Sequence, residues 1–279
     1  MTRRRAGFRT CPDDLVHDDL WVRVEPLLPK RPARRHRYPG RLPVDDRTAL
    51  RGIVFVLRTG VSWRDVPVER IGCSGVTAWR RLRDWTEAGV WPRLHEVLLA
   101  ELRSAGLLDM DDAVIDGSHI RAPQRGAHTG PSPVDRARPG SKHHLITDRH
   151  DTPLAVALTG GNRHDVTQLL PLLDAIPPVR GLVGRPRRRP KRLYAGRGYD
   201  YDKYRRILRA RGITPRITRR GVAHGSGLGK ARWVVERTFA WFHQFKRLRI
   251  RYERRADLHQ GLLELACSII CLRRLRRSS

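Results

Sequence analysis

After Gly106 the apolar pattern of this 279-residue chain changes period, and that change limits the folds open to it. Upstream, residues 13–105 carry apolar side chains at helical spacing. Leu15, Leu20, Val24, Leu27 and Leu28 lie within Asp14–Leu28 and close at Pro29; Leu50, Ile53, Val54 and Leu57 run from a cap at Asp45 to a stop at Gly60. Downstream, short apolar runs predict strands at Ala113–Asp116, at His144–Asp148 with Pro153–Thr159 around a turn, at Arg192–Ala195 and at Ile213–Thr218. Helices predicted over Asp165–Ile176, Tyr201–Ala210, Ala231–Leu248 and Leu262–Leu275 are interleaved with them. Adjacent strands followed by alternating helices and strands imply an α/β domain with a mixed sheet over 110–275, behind a helical domain over 13–105.

Within the helical part, Ser74 stands where it caps a helix running through Ala78, Leu82 and Trp85. A helix, a tight turn at Gly72-Cys73-Ser74 and an Arg-studded helix have the outline of a helix-turn-helix, with Arg80, Arg81 and Arg83 offered to DNA. The same pattern also describes a plain helical bundle with a solvated basic face.

Charge names the kind of partner. Lys and Arg number 57 against 28 Asp and Glu, a formal charge of +29, and nearly all the bases are Arg. Such an excess attracts polyanions, and the planar guanidinium fork fits phosphates and guanine edges. No window approaches the ~20 apolar residues of a membrane span, so no membrane partner is expected. The start, Met1-Thr2-Arg3-Arg4-Arg5-Ala6, has no apolar stretch behind it, and a cytoplasmic location is expected. Cys11, Cys73, Cys267 and Cys271 lack zinc spacing; the last two sit four apart in an apolar helix, where packing is the simpler role. The Pro- and Arg-rich stretch 177–192 reads either as a disordered insertion or as an arm that contacts phosphate.

Two acids carry the chemical interest. Asp116 ends an apolar strand, where a carboxylate projects into a cleft and can bind a hard cation through oxygen; a turn aspartate has the same signature. Glu236 shares a helical stripe with Arg232, His243 and Arg247, which suits either an Arg partner or a metal ligand flanked by phosphate-binding cations.

Three segments in order carry a resemblance: Val114-Ile115-Asp116-Gly117-Ser118-His119-Ile120-Arg121, Leu193-Tyr194-Ala195-Gly196-Arg197-Gly198-Tyr199-Asp200 and Arg232-Trp233-Val234-Val235-Glu236-Arg237-Thr238. Together they resemble the bacterial insertion-sequence transposases of the IS-five type, within the larger DDE group. Gly60–Pro67 and Trp79-Arg80-Arg81-Leu82 resemble the helical domain that precedes the catalytic domain there. The likeness spans residues 15–275 and implies a ribonuclease-H-like mixed-sheet core behind a helix-turn-helix-like domain. It implies an Asp, Asp, Glu triad holding two Mg²⁺ ions, double-stranded DNA ends and target DNA as substrates, and homo-oligomers on paired ends. Asp116 matches the first acid and Glu236 the third, both as metal ligands; Arg232 matches the family's helix Arg, and His243 takes a slot often held by Lys.

The departure is Gly196, which stands where the family's second catalytic Asp belongs. Asp200 is a stand-in by position, but it precedes a helix and reads as its cap, with Asp202 in the first turn. Asp111 and Asp112 are expected to be solvated; His164 and Asp165 are placed where they can face the site, although a cap by Asp165 is the simpler account. His143 and His144 alternate faces of one strand, so they do not share an ion. The resulting expectation is a DNA transposase weakened at position 196; the alternative is an inactive, transposase-derived DNA-binding protein.

Overall fold

The computed structural model describes residues 15–31, 37, 42–221 and 229–278, and within 229–232 the backbone only. Tertiary contacts divide the chain into residues 1–90 and 91–279.

The first unit is helical. Helix α1 (Asp18–Val24) runs into a single tight turn, Glu25–Leu27, where Pro26 replaces the longer helix that the sequence suggests. Helix α2 (Asp46–Thr59) starts at Asp45, whose carboxylate accepts the Thr48 amide at 2.9 Å, and stops at Gly60 in the left-handed conformation, φ 73°. Helix α3 (Val68–Ile71) is one turn long, Gly72 reverses the chain at φ 90°, and α4 (Gly75–Glu87) begins with Ser74 Oγ accepting the Thr77 amide at 3.2 Å. The caps expected at Asp45 and Ser74 therefore form, and α3, turn and α4 have helix-turn-helix order. Two glycines allow the close packing. A β-carbon on Gly52 would lie 2.9 Å from that of Ala78, where α2 meets α4, and one on Gly75 would lie 1.7 Å from the Trp63 carbonyl oxygen.

In the second unit, α5 (Val90–Ser104) precedes β1 (Asp112–Arg121), β2 (Gly130–Pro131), β3 (Pro139–Asp148) and β4 (Pro153–Gly160). Next come α6 (Leu169–Asp174), β5 (Arg192–Ala195), α7 (Asp202–Ala210), β6 (Thr214–Ile217), α8 (Gly229–Gln244) and α9 (Ala256–Arg276). The sheet order is β4-β3-β1-β5-β6, with short β2 beside the start of β3. β1, β3 and β4 run antiparallel, whereas β5 and β6 lie parallel to β1. Three antiparallel strands extended by two parallel ones through helical crossovers are the ribonuclease-H-like arrangement that the sequence led us to expect.

The expected α/β class is observed, with shifted boundaries. β1 continues five residues past Asp116 because Asp116 through Arg121 pair with β3 as far as Gly140. Asp165–Gln168 is a 3₁₀ turn ahead of α6, and α8 ends at Gln244, with Lys246–Leu248 in a separate turn. The arm 177–192 folds back on itself: Val179 and Arg187 exchange backbone hydrogen bonds, and Arg187 reaches Asp111 at 2.8 Å. Helix α9 packs on β4, and its residues Leu258 to Leu272 are largely buried, each Leu or Ile contributing about 1.5–3 kcal/mol of burial. Cys267 and Cys271 are among them and unpaired, with thiols pushed up by burial. Among the described residues no helix is long and apolar enough to cross a membrane.

Candidate active site

Parallel pairing of β1 and β5 builds one end of the site. Ile115 partners Ala195, so the next residues, Asp116 within β1 and Gly196 just past the end of β5, lie side by side and toward the same face. Gly196 is extended, φ −74° and ψ 177°, a backbone that any L-residue adopts. Asp116 is half-buried, and the Gly117 amide donates to its Oδ1 at 2.9 Å. Helix α8 packs over β1, β3 and β5 through Val234, Val235, Phe239 and Phe242, and leaves Glu236 exposed.

The donor set falls short of the expected metal pair. Among the described residues, no group of three or more His, Cys, Asp or Glu side chains is close enough to hold a metal ion. With Gly196 in the second position, Asp116 and Glu236 are the two matching carboxylates, and neither of the nearby aspartates completes them. Asp200 is not a helix cap: Tyr201 occupies that place, while Arg205 grips the Asp200 carboxylate at 2.7 and 2.9 Å and the Arg220 amide donates at 2.8 Å. Burial raises its pKa, but these donors outweigh burial and hold it below the ordinary range. Asp202 pairs with Arg219 at 2.8 Å.

Other acids also differ from expectation. Asp112 is buried and forks onto Arg192, and Asp111 bridges Arg187 and Lys191, both at 2.8 Å, so neither is simply solvated. Asp165 does not cap its turn; His164 stands there, and the carboxylate instead takes Lys142 Nζ at 2.9 Å. Its Oδ1 lies 3.1 Å from where a Gly117 β-carbon would be, so it abuts β1 on the face that also carries His144. The Lys142–Asp165 pair joins residues 23 positions apart, beyond the reach of local spacing. His143 and His144 do point to opposite faces: His143 Nε2 meets His259 Nε2 at 2.9 Å, and His144 Nε2 meets Thr159 Oγ1 at 2.7 Å.

The expected DNA-contacting cations fare unequally. Arg80 is exposed on α4. Arg81 pairs with Asp46 at 3.2 Å and Asp84 at 3.8 Å, while Arg83 binds Asp84 and lies 5.8 Å above the Trp79 ring. The Arg232 side chain lies outside the described residues. His243 is half-buried, its pKa lowered by burial and then by Arg249. Arg247 does not extend the Glu236 stripe: it lies beyond the end of α8, is buried, and forks onto Glu253 at 2.6 and 2.8 Å. Its guanidinium is consumed by packing and not offered to phosphate. Arg251, which sequence reasoning missed, is fully buried and donates to the Glu253, His128 and Arg254 carbonyls, Thr129 and Ser141, fastening residues 249–255 beside β1.

Residues 108–271 match the family described as "Transposase DDE domain", and residues 16–95 match "Putative transposase of IS4/5 family". The chain is 65% identical over 150 residues to "Putative transposase for insertion sequence element IS402" of Burkholderia cepacia, covering 54% of this chain and 71% of that protein. It is 57% identical over 120 residues to a 16.2 kDa protein of the same insertion element, covering 43% and 81%. Among solved structures, a pre-cleavage Mos1 transpososome aligns at 11% identity and a TM-score of 0.26, over 88% of this chain and 81% of that one.

Proposed function

The chain belongs to the DDE-domain transposases of insertion sequences, and from that premise we propose that it binds the double-stranded ends of an element while its strand cleavage and strand transfer are impaired at Gly196. One observation carries the reading: the Ile115–Ala195 pairing sets position 196 beside Asp116, where a second carboxylate would neighbour the first. With glycine there, Asp116 and Glu236 would hold divalent cations without the middle ligand, which weakens the hold on the cation and with it the cleavage that the cation would support. We assign Asp116 and Glu236 as the retained catalytic and metal-ligating acids. The helical unit that ends at Val90, shorter than the 13–105 read from the sequence, serves as the DNA-binding domain, with Arg80 as its exposed contact and Arg81 and Arg83 beside it; the catalytic domain over 110–275, against which α5 packs, takes Arg232 and His243 as its assigned phosphate contacts. Arg247 drops out of that set. The protein works in the cytoplasm at the nucleoid, as more than one copy on paired ends.

A second reading, a DNA-binding derivative with no catalysis, is favoured by the absence of a three-donor cluster among the described residues. The test uses purified protein and a supercoiled plasmid carrying the sequences that flank its gene. Binding with steep salt dependence, weak Mg²⁺-dependent nicking and a large gain in Gly196→Asp support the proposal. No nicking by the unaltered chain, with rescue in the variant, favours the second reading; efficient nicking by the unaltered chain overturns both.

A further inference from the structure

Helix α8 has two polar flanks. Arg232, Glu236 and His243 recur at helical spacing along one, while Trp233, Arg237, Trp241 and Gln244 recur along the other, with exposed Ala240 between them. The second flank, the β3–β4 turn and the last turns of α9 enclose a groove of about 510 Å³.

This groove is built and cationic. Its lining includes Arg149, Arg237, Arg273, Arg274 and Arg277, with Asp151 as the one carboxylate among the described lining residues. Asp151 is buried, held at φ 66° in the hairpin turn, and is paired with Arg237. Thr238 Oγ1 donates to its carbonyl at 3.2 Å, so the turn is fixed to α8. Arg237 is sandwiched by indoles, 4.1 Å from the Trp233 ring and 5.6 Å from that of Trp241, an arrangement that orders the cation before any ligand arrives. Arg274 donates to the His150 carbonyl, while Arg149, 3.7 Å from Asp112, and Arg277 are exposed at the rim. Asp151 and Asp112 offset two of the five guanidiniums, Arg237 and Arg149, and the remaining charge calls for an anion with several phosphates spaced along a groove.

We infer that this groove is a second DNA contact, a track for the phosphodiester backbone on the flank of α8 next to the one that carries Glu236. It rests on the reading that the chain binds DNA, and it adds a surface that the helical N-terminal domain does not supply. The groove lies on a different flank of α8 from Glu236, so it grips flanking DNA and not the bond to be cut.

The experiment measures anisotropy of a fluorescein-labelled duplex with the full-length protein across a salt series. The Arg149→Glu, Arg277→Glu double variant changes two rim residues. Arg206→Glu, Arg209→Glu on exposed positions of α7 makes the same charge change elsewhere. The rim variant is expected to bind about tenfold or more weaker and to lose about 2 from the slope of log K against log salt, one per phosphate contact, while the α7 variant keeps both near wild type. Arginine-selective labelling gives an independent readout: DNA should protect Arg149 and Arg277 in the unaltered protein. Equal losses in the two variants, or an unchanged slope and no protection, overturn the groove. Failure of the unaltered chain to bind any duplex overturns instead the DNA-binding reading on which it rests.

Discussion

Asp116 and Gly196 follow partnered residues, Ile115 and Ala195, on parallel strands, so a side chain at 196 emerges next to that of Asp116. The backbone at 196 is extended and accepts any L-residue. Placing a carboxylate there sets two like charges together, which a divalent cation relieves.

Gly196→Asp is therefore expected to lower the melting temperature in EDTA and to regain it in Mg²⁺, with a cation-dependent gain of about 2.7 kcal/mol at a hundredfold excess over Kd. The unaltered chain should show little Mg²⁺ effect in the same thermal scans. Equal Mg²⁺ shifts in both proteins would contradict this.

Gly75→Ala should cripple the helical unit. The added β-carbon would sit 1.7 Å from the Trp63 carbonyl oxygen, a rigid backbone atom, so the start of α4 must move. A loss above ~3 kcal/mol is expected from such overpacking, against ~1 kcal/mol for Ser74→Ala, which deletes a cap. Urea unfolding of both variants checks the order; a milder effect for Gly75→Ala would refute the packing argument.

Arg247 and Glu253 test burial against charge. Both are buried, and Glu253→Gln leaves the guanidinium without its counter-ion. About 3–5 kcal/mol should be lost at neutral pH. A loss below ~1 kcal/mol would mean that Arg247 can reach solvent, restoring it as a phosphate contact.

Acid should destabilise the protein between about pH 6.5 and 4. Burial lowers the pKa of His95 and of His144 to about 4, from 6.5 in the unfolded chain. In that window the unfolded state takes up protons that the folded state refuses, so stability is present above 6.5 and lost as pH falls through the folded values, by roughly 3 kcal/mol per group. Buried His143 and His259 shift in the same direction. Glu264, raised by burial to about 7, opposes them by losing stability as pH rises, but four histidines outweigh one carboxyl. A denaturation midpoint that stays flat from pH 7 to 4 would contradict this, and Glu264→Gln should steepen the fall.

The chain's own residues determined much of this protein. Caps at Asp45 and Ser74, the stop at Gly60 and the order of strands and helices act over a few residues, where side-chain chemistry and period suffice. Asp116, Glu236 and Gly196 lie in compact motifs, which is why the sequence alone offers them as the candidate site positions that we propose. Only tertiary structure decided which charges remain available. Arg247 and Asp200 look like neighbours of the site in sequence, yet Glu253 and Arg205 claim them. The Lys142–Asp165 pair and the arginine groove against α9 join residues far apart in the chain. A buried charge must find a partner wherever the fold brings one, and that pairing depends on three-dimensional proximity that no local spacing encodes.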